Sequence, residues 1–408
     1  MKTVTVVGAS LAGLYAAREL RAQGFDGRLV IVGEEPHRPY DRPPLSKEFL
    51  TGYAGDAGDQ AGDQAGEERL ALADAEEEAG LAAEWLLGTR ARGLDPRGRT
   101  LLLDGGRTVS TDGVVIATGA SARRLPGSTG TAGVHTLRTL DDARALRADL
   151  AGGPRRVVVI GGGFIGAETA SSCATLGHDV TVVEAAPLPL VPQLGPEMAA
   201  VCAALHARGG TQLITGASVA GLRGDRRVRA VELADGRVLP ADVVVVGIGA
   251  VPNTAWLAGS TLALGDGVLC DDGCVTSLPQ VVAVGDVARV GGVRAEHWTS
   301  ATEQPAVAVR NLLAGRTAAT VRPLPYFWSD QYGARIQFAG RRRGGDTVRI
   351  AEGSTDGGGF LALYERDGAP TAALAVDRPR PFMKARRDLA RAARPAPAIQ
   401  GLTLAWEA

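Results

Sequence analysis

Short apolar runs and helical patterns alternate along the first part of the chain. Residues 3–7 form an apolar, β-branched run, and a glycine-containing stretch, 8–13, follows it directly. Apolar residues then recur at helical spacing as far as Gly24: Leu11, Leu14, Ala17 and Leu20. A second apolar run, 28–32, ends at Gly33. This pattern predicts a strand, a glycine turn, a helix and a second strand.

The predicted turn has the composition of a dinucleotide-binding motif. Gly8 permits a tight turn out of the strand, and Gly13 lets the helix pack close to that strand. Ser10 stands where a middle glycine is usual, but it is small enough for a pyrophosphate to approach the helix N-terminus, which favours negative charge. Glu34 follows the second strand and can accept hydrogen bonds from ribose hydroxyls. We therefore predict a first dinucleotide site here.

The same pattern recurs further along the chain. The apolar run 157–160 leads into Gly161-Gly162-Gly163-Phe164-Ile165-Gly166, a full GxGxxG, and a helical pattern then runs through Leu176. The apolar run 180–183 ends at Glu184. A dehydrogenase with a single Rossmann domain would show one such motif, so two copies predict two bound dinucleotides.

Glu184 also bears on the choice of nicotinamide cofactor. A carboxylate at this place hydrogen-bonds the 2′-hydroxyl of NAD and repels the 2′-phosphate of NADP. Residues 185–207 contain no Lys or Arg that could hold such a phosphate. The sequence therefore favours NADH over NADPH.

Several later segments carry polar residues that suit a cofactor. The buried run Val114–Ala117 ends in Thr118-Gly119, with Arg123 shortly after, and the run 281–284 ends in Gly285-Asp286. Asp286 can bind a polyol hydroxyl or cap a nearby helix, and the sequence leaves both roles open. The proline-rich stretch 36–47 carries Arg42, Ser46 and Lys47, either as a purely structural loop or as a stiff support for these side chains.

From about residue 319 the pattern changes to alternating strands, which predicts an antiparallel α+β domain. Basic residues cluster at 341–343 and 378–387, and they form either a solvated face or a docking surface for an acidic partner. Residues 54–66 read AGDAGDQAGDQAG, a polar repeat that predicts a surface insertion without chemistry.

Composition narrows the functional classes. The chain has 408 residues, which suggests two to three domains, and its net charge of −1 gives no case for nucleic acid or an anionic membrane. No apolar run reaches the length of a membrane helix, and the first strand begins too close to Met1 for a signal peptide. Only four cysteines are present, and no metal-ligand cluster is apparent. We therefore expect a cytoplasmic protein without a structural disulfide.

Together these motifs resemble the FAD- and NAD-dependent ferredoxin reductases, the family of putidaredoxin and rubredoxin reductases. Five segments carry the resemblance: 39–47, 117–119, 161–168, 283–286 and 327–330. It implies two Rossmann-like domains in a glutathione-reductase-like arrangement, one inserted in the other. The implied FAD domain covers 1–112 and 241–318, the implied NAD domain covers 113–240, and an α+β domain covers 319–408.

The resemblance also implies roles for individual residues. Lys47 and Glu168 match a catalytic ion pair beside the reactive edge of the flavin, and Trp328 matches an aromatic residue near the flavin. The implied FAD contacts are Ala12, Glu34, Lys47, Arg123, Asp286 and Trp298. The implied NAD contacts are Gly163, Ile165, Glu184, Gly249 and Glu296. His297 would lie near the nicotinamide. Leu188 stands close to the place where the family often has a basic residue.

The implied function is hydride transfer from NADH to FAD, then single electrons to a small [2Fe–2S] ferredoxin that serves a cytochrome P450 or a Rieske oxygenase. Rubredoxin reductase, an NADH oxidase and an NADH-sensing interaction module are the alternatives. A flavin disulfide reductase is disfavoured because the first 172 residues contain no cysteine, and packing better explains Cys270 and Cys274. The oligomeric state stays open between monomer and weak homodimer.

Overall fold

The structure is a computed structural model that describes residues 1–52 and 66–392. The polar repeat at 54–66 therefore lies, except for its last residue, outside the described residues, as does the end of the predicted C-terminal domain, 393–408. The described part groups into a main unit, residues 1–323 and 329–333, and a C-terminal unit made of 324–328 and the residues from 334 onward.

The helices follow the predicted pattern, with shifts at their ends. In chain order they are α1 (Leu11–Ala22), α2 (Glu48–Thr51), α3 (Ala75–Gly80), α4 (Leu140–Leu150), α5 (Phe164–Thr175), α6 (Val191–Arg208), α7 (Trp298–Ala314) and α8 (Pro379–Ala392). Helix α4 begins at Leu140, because Thr139 and Asp142 form a capping box. Helix α7 begins at Trp298, directly after His297.

The strands are short and numerous. Up to residue 160 they are β1 (Thr3–Val7), β2 (Arg28–Val32), β3 (Ala83–Leu86), β4 (Ala91–Asp95), β5 (Thr100–Leu103), β6 (Thr108–Ser110), β7 (Gly113–Ile116), β8 (Ala120–Ala122), β9 (Val134–His135) and β10 (Arg156–Ile160). Up to residue 294 they are β11 (Asp179–Val183), β12 (Gln212–Ile214), β13 (Val219–Arg223), β14 (Ala230–Leu233), β15 (Val238–Pro240), β16 (Val243–Val246), β17 (Ala250–Pro252), β18 (Leu264–Gly265), β19 (Gly267–Cys270), β20 (Val281–Ala283), β21 (Ala288–Val290) and β22 (Val293–Arg294). The last five are β23 (Tyr326–Gln331), β24 (Ala334–Gly340), β25 (Thr347–Gly353), β26 (Phe360–Arg366) and β27 (Ala369–Val376).

Two five-stranded parallel sheets form the centre of the main unit, and the strand order of one corresponds to that of the other read in reverse. The first has the order β20-β7-β1-β2-β3, and the second has the order β12-β11-β10-β16-β9. All their strand pairs are parallel. Their central strands are almost wholly apolar and buried, as expected when helices cover both faces of a sheet. We call residues 3–34 the first repeat and residues 156–184 the second repeat.

The connection between the two sheets is a narrow antiparallel ribbon. Strand β8 pairs with β17, and the register joins Ala120 to Pro252 and Ala122 to Ala250. Strand β7 pairs in the first sheet and β16 in the second. The predicted domain limits at 112/113 and 240/241 fall just before these two strands. We therefore propose the ribbon 120–122 and 250–252 as the junction between the FAD and NAD domains.

The C-terminal unit has the antiparallel character that the sequence predicts. Its sheet has the order β23-β24-β27-β26-β25. The pairs of β24 with β27, β27 with β26, and β26 with β25 are antiparallel. Phe382 and Leu389 of α8 pack in one apolar cluster with Ala373 and Ala375 of the sheet. One helix against an antiparallel sheet confirms the predicted α+β architecture.

Candidate functional site

The two predicted glycine turns have the same backbone geometry. Gly8 has φ +120°, and a Cβ placed on it would lie 2.1 Å from the carbonyl oxygen of Ala117. Gly161 has φ +106°, and its Cβ would lie 2.3 Å from the carbonyl oxygen of Gly247. A side chain fits neither position, because the end of the neighbouring strand passes against the turn. In each repeat, glycine is therefore required where the chain leaves the first strand.

The closing glycine of each turn lets the helix start close to the strand. A Cβ on Gly13 would lie 1.8 Å from the carbonyl oxygen of Gly8, and one on Gly166 would lie 2.0 Å from that of Gly161. Ser10 begins α1 without a side-chain capping bond. Gly163 begins α5 and has no side chain to offer one. Both helix N-termini therefore keep first-turn N–H groups that can bind a phosphate.

Two further predicted residues lie near the first turn. A Cβ on Gly285 would lie 3.0 Å from the Cβ of Ala12, so the end of β20 passes close to the start of α1. Ile165, the predicted NAD contact in the second turn, is 48% exposed.

The acids that end the two repeats have different surroundings. Both carboxylate oxygens of Glu184 accept backbone hydrogen bonds, from Gly162 N at 2.7 Å and from Ala186 N at 2.8 Å. Glu184 thus lies directly against its glycine turn. Glu34 is exposed and pairs with Arg90 at 3.3 Å. The predicted ribose acid is therefore fixed in place in the second repeat and lies at the surface in the first.

The proline-rich loop places Arg42 against the first turn. Its guanidinium donates to Glu35 at 2.6 Å, to the carbonyl oxygen of Arg138 at 2.5 Å and to Ser10 Oγ at 3.3 Å. Burial disfavours its charge, but the neighbouring Tyr40 and Glu35 outweigh that effect and raise the pKa of Arg42. The structure therefore favours the prediction of a stiff support over that of a purely structural loop, and Glu35 is a member of this cluster that the sequence did not single out.

Asp286 pairs with Arg138, which sequence reasoning missed. The Arg138 guanidinium lies 2.7 Å from the Asp286 carboxylate and donates to the carbonyl oxygen of Ala120 at 2.9 Å. Asp286 caps no helix, because it lies within a 3-10 turn and α7 begins after His297. Of the two roles that the sequence left open, the capping role is thus excluded. Only the fold could identify Arg138, which lies 148 residues from Asp286.

The ends of β7 and β16 meet beside the ribbon. Asn253 donates to the carbonyl oxygen of Thr118 at 2.8 Å and accepts from Ser121 at 2.7 Å. The N–H of Arg123 donates to the carbonyl oxygen of Gly249 at 2.9 Å. Predicted residues of both dinucleotide sites are therefore neighbours where the two sheets join.

Lys47 and Glu168 form the predicted ion pair, and it is buried. Lys47 Nζ lies 2.7 Å from Glu168 Oε2, and the two side chains are only 11% and 3% exposed. Ser46 Oγ donates to the same oxygen at 2.6 Å. The other oxygen, Oε1, accepts from Ser329 Oγ at 2.7 Å and from the N–H of Asp330 at 3.3 Å. A buried charge is stable only when it is paired and hydrogen-bonded, and Glu168 is both.

The remaining predicted residues lie around the start of α7, except for one. Trp298 Nε1 donates to Asp41 at 3.2 Å, and burial raises the pKa of Asp41. Glu296 pairs with Arg294 at 2.6 Å, and His297 is the residue before the first turn of the helix. Trp328 belongs to the C-terminal unit, where it stacks on Tyr326 with ring centroids 5.7 Å apart.

The four cysteines all lie within the described residues. All four cysteines are free, and burial raises the pKa of Cys270 to about 12, so it is a poor nucleophile. Across residues 1–52 and 66–392, we find no group of three His, Cys, Asp or Glu side chains that could hold a metal ion. In the same ranges no helix is long and apolar enough to cross a membrane.

Comparison with known proteins identifies the family. The family model described as pyridine nucleotide-disulphide oxidoreductase matches residues 2–305, and the one described as reductase C-terminal matches residues 326–401. The biphenyl dioxygenase system ferredoxin–NAD(+) reductase component of Paraburkholderia xenovorans (strain LB400) is 37% identical over 391 residues, covering 94% of this chain and 92% of the relative. Rhodocoxin reductase of Rhodococcus erythropolis is 33% identical over 396 residues, covering 95% and 89%.

A solved structure gives the same result. The crystal structure of the covalent putidaredoxin reductase–putidaredoxin complex matches with a TM-score of 0.86 at 32% identity, covering 95% of this chain and 93% of that one. The chain belongs to the pyridine nucleotide-disulphide oxidoreductase family, in its ferredoxin reductase branch with a reductase C-terminal domain. The predicted fold, family and cofactors, FAD and NAD(H), are thereby confirmed.

The structure fits two dinucleotides. In each of the two turns the residue before the helix makes no side-chain capping bond, so the helix N-terminus keeps N–H groups that suit a pyrophosphate. An acid ends each repeat, Glu184 beside its glycine turn and Glu34 at the surface. The two turns are thus compatible with the two cofactors of the family, FAD and NAD(H).

Proposed function

We propose that the chain is an NADH-dependent ferredoxin reductase, in which the first repeat holds FAD and the second holds NADH. When bound, the flavin accepts a hydride from NADH and delivers electrons one at a time to a [2Fe–2S] ferredoxin serving a cytochrome P450 or a Rieske oxygenase. The names of the relatives support the ferredoxin as partner. The single observation that carries the proposal is the buried ion pair of Lys47 and Glu168 between two dinucleotide cradles.

Lys47 and Glu168 come from opposite sides of the site. Lys47 follows the loop that supports the first turn, and Glu168 lies on α5, the helix of the second turn. We assign Lys47 the role of presenting a fixed positive charge to the reactive edge of the flavin. Glu168 holds that ammonium group and helps to seat the nicotinamide. Both roles require a dry, rigid setting, and the low exposure of the pair supplies it.

The remaining assignments follow the two cradles. For FAD we propose Ala12, Glu34, Arg42, Arg123, Asp286 and Trp298. For NADH we propose Gly163, Ile165, Gly249, Glu296 and His297, with Glu184 selecting against the 2′-phosphate. The two backbone bonds that fix Glu184 leave lone pairs of its carboxylate for a ribose hydroxyl.

We further propose that an acidic ferredoxin docks on the basic surface of the C-terminal unit. Arg380, Lys384 and Arg387 of α8 are exposed, and so are Arg341 and Arg343 in the other basic cluster. Such a surface speeds the encounter with an acidic partner. We place the reaction in the cytoplasm, because the four cysteines are free, as a reducing compartment would keep them.

Anaerobic stopped-flow mixing tests this function. The purified protein is mixed with NADH and then with a [2Fe–2S] ferredoxin, while flavin absorbance is followed. We expect fast bleaching by NADH and fast recovery with ferredoxin. Recovery with rubredoxin or oxygen alone would replace the proposal with a rubredoxin reductase or an oxidase. Slow bleaching into a persistent long-wavelength species would indicate a sensing module instead.

A further inference from the structure

The carboxylate of Glu168 is held from two sides by donors that lie far away in the sequence. On one side, Ser46 and Lys47 donate to Oε2. On the other, Ser329 Oγ and the N–H of Asp330 donate to Oε1. Ser329 lies 161 residues from Glu168 along the chain. The rotation of the carboxylate is therefore fixed by both sets of donors together.

The hydroxyl group of Ser329 is itself committed to this bond. Ser329 is fully buried, and Gln331 Nε2 donates to its Oγ at 3.1 Å. A hydroxyl has a single proton to donate, and the bond from Gln331 occupies one of its lone pairs. The proton of Ser329 is thus directed to Glu168. Ser329 is therefore the donor, and not the acceptor, in its hydrogen bond with the carboxylate.

The ammonium group of Lys47 depends on the same carboxylate. Its Nζ donates to Glu168 Oε2 at 2.7 Å and to the carbonyl oxygen of Pro43 at 3.1 Å. Within the described part of the chain, these two bonds leave one of its three N–H groups for a ligand. The direction of that third N–H depends on where the carboxylate oxygen lies. A rotation of Glu168 would therefore redirect the charge of Lys47.

We propose that Ser329 is a positioning residue, which sets the orientation of Glu168 and, through it, the direction of the Lys47 ammonium group. This inference rests on the proposed function, in which that ammonium group faces the flavin. Ser329 touches neither cofactor in this proposal. It acts only through the carboxylate.

The segment 329–333 offers a matched control, because it has a second anchor away from Glu168. The hydroxyl of Tyr332 forms a hydrogen bond with His206 Nδ1 at 2.8 Å, and the backbone N–H of Tyr332 donates to Ser171 Oγ at 2.7 Å. Tyr332→Phe removes the hydroxyl, with its bond to His206, and keeps the ring. It therefore weakens the anchoring of the same segment while leaving the donors to Glu168 in place.

The test compares Ser329→Ala with Tyr332→Phe in the FAD-loaded protein. The readouts are the midpoint potential of the bound flavin, the limiting rate of its reduction by NADH, the KM for NADH and the thermal midpoint. For Ser329→Ala we expect a roughly tenfold slower reduction and a KM within about twofold of the wild type. We also expect a more negative potential, by about 30 mV if the preference for the reduced form falls tenfold. Tyr332→Phe should lower the thermal midpoint and leave the potential and rate unchanged.

Three outcomes would overturn the inference: an unchanged potential in Ser329→Ala, equal losses in both variants, or an undiminished effect of Ser329→Ala in a Glu168→Gln background. The last follows because a positioning residue has no effect once its target is altered. If Ser329→Ala does not retain FAD, Ser329→Cys, which keeps the size but is a weak donor, takes its place.

Lys47→Ala separates the inference from the proposed function. If that variant leaves potential and rate unchanged, the assigned role of Lys47 fails. If it changes both while Ser329→Ala changes neither, only the positioning role fails.

Discussion

The two repeats have the same backbone geometry at their glycine turns, and they differ in what surrounds the acid at the end of each. In both, a glycine with positive φ lies against the end of a neighbouring strand, and a second glycine in the first turn of the helix lies against the first. Glu184 accepts the backbone N–H groups of Gly162 and Ala186, whereas Glu34 lies at the surface with Arg90. Close backbone contacts therefore set the turn, while the orientation of the acid depends on the groups that surround it.

A second pair of acids shows the same division between shared backbone and local neighbours. Asp112 precedes β7 and accepts the N–H groups of Lys2 and Thr3, at the start of β1. Asp242 precedes β16 and accepts the N–H of Arg156, at the start of β10. Asp242 also accepts two bonds from the Arg156 guanidinium, at 2.7 and 3.0 Å. In each sheet, an acid just before one central strand thus bonds to the start of another central strand. In the second sheet, this acid also forms an ion pair with the Arg156 guanidinium.

The largest effects should come from the first glycine of each turn. We expect Gly8→Ala to abolish FAD binding. We expect Gly161→Ala to retain FAD and to lower kcat/KM for NADH at least tenfold. In both variants the added Cβ would collide with a carbonyl group and strain the backbone by about 1–3 kcal/mol. The flavin content of the purified protein and its reduction by NADH measure both. Gly24→Ala and Gly177→Ala are the controls, since these glycines have positive φ but no atom within 4 Å of the added Cβ. Loss of FAD from Gly161→Ala would contradict the assignment of FAD to the first repeat and NADH to the second.

Removing Lys47 should come next, because this residue joins the two halves of the site. In Lys47→Ala the buried Glu168 loses its cation, and we expect flavin reduction by NADH to slow roughly 10- to 100-fold, equivalent to about 1.4–2.8 kcal/mol in the barrier. Single-turnover stopped-flow at saturating NADH measures the rate. Lys2→Ala, at an exposed lysine just before the first strand, is the control and should react as the wild type does. An unchanged rate in Lys47→Ala would remove Lys47 from the mechanism.

The acids of the two repeats should differ in a smaller effect on cofactor choice. We expect Glu184→Ala to lower kcat/KM for NADH about tenfold and to raise the relative use of NADPH, because a bond to a ribose hydroxyl and a repulsive charge are both lost. Glu34→Ala should leave the ratio of NADPH to NADH use unchanged. Steady-state kinetics with both cofactors give this ratio. If both variants shift it equally, or neither does, the different roles assigned to the acids are wrong.

The smallest effect should be a pH-dependent one at the base of the second sheet. Hydrogen bonds from the Arg156 side chain and N–H lower the pKa of Asp242 to about 2. A depressed carboxyl pKa stabilises the fold above the unfolded value of about 3.9, and that contribution is lost as the pH falls through about 2. We expect Asp242→Asn to cost under about 1 kcal/mol at neutral pH, since the pair is partly exposed.

Urea unfolding from pH 7 down to pH 2 measures this difference. The gap between Asp242→Asn and the wild type should narrow as the pH falls below 4. Asp235→Asn, at an exposed turn with its own arginine, serves as the control for the loss of a surface charge. A gap that stays constant down to pH 2 would show that the Asp242 charge does not stabilise the strands.

The parts that could be predicted from the sequence are the parts that are local in the chain. Both repeats were predicted because a β-branched run, a glycine turn and a helical pattern lie within about 30 residues of each other. The ion pair of Lys47 with Glu168 came from resemblance to a family, and no spacing in the sequence could have produced it. Ser46 stood in the predicted loop, but its bond to Glu168, 122 residues away, could not be read from the sequence.

The limits of the sequence are clearest at the two junction strands. From the sequence alone, each of the apolar runs 113–116 and 243–246 could be a central strand of either sheet. An apolar run specifies neither the direction of the strand nor the strand it pairs with. Only strand pairing shows that the first belongs beside β1 and the second beside β10. The predicted domain limits fell just before these strands for this reason.

The sequence by itself determined that the chain binds two dinucleotides, since glycine spacing, strand composition and a following acid act over short distances. The tertiary structure decided which groups surround the reacting centre: Ser329 beside Glu168, Arg138 beside Asp286, and Asn253 between two strand ends. These contacts join residues more than 130 positions apart. They depend on how the sheets pair and pack, and local residue preferences contain no information about such pairing.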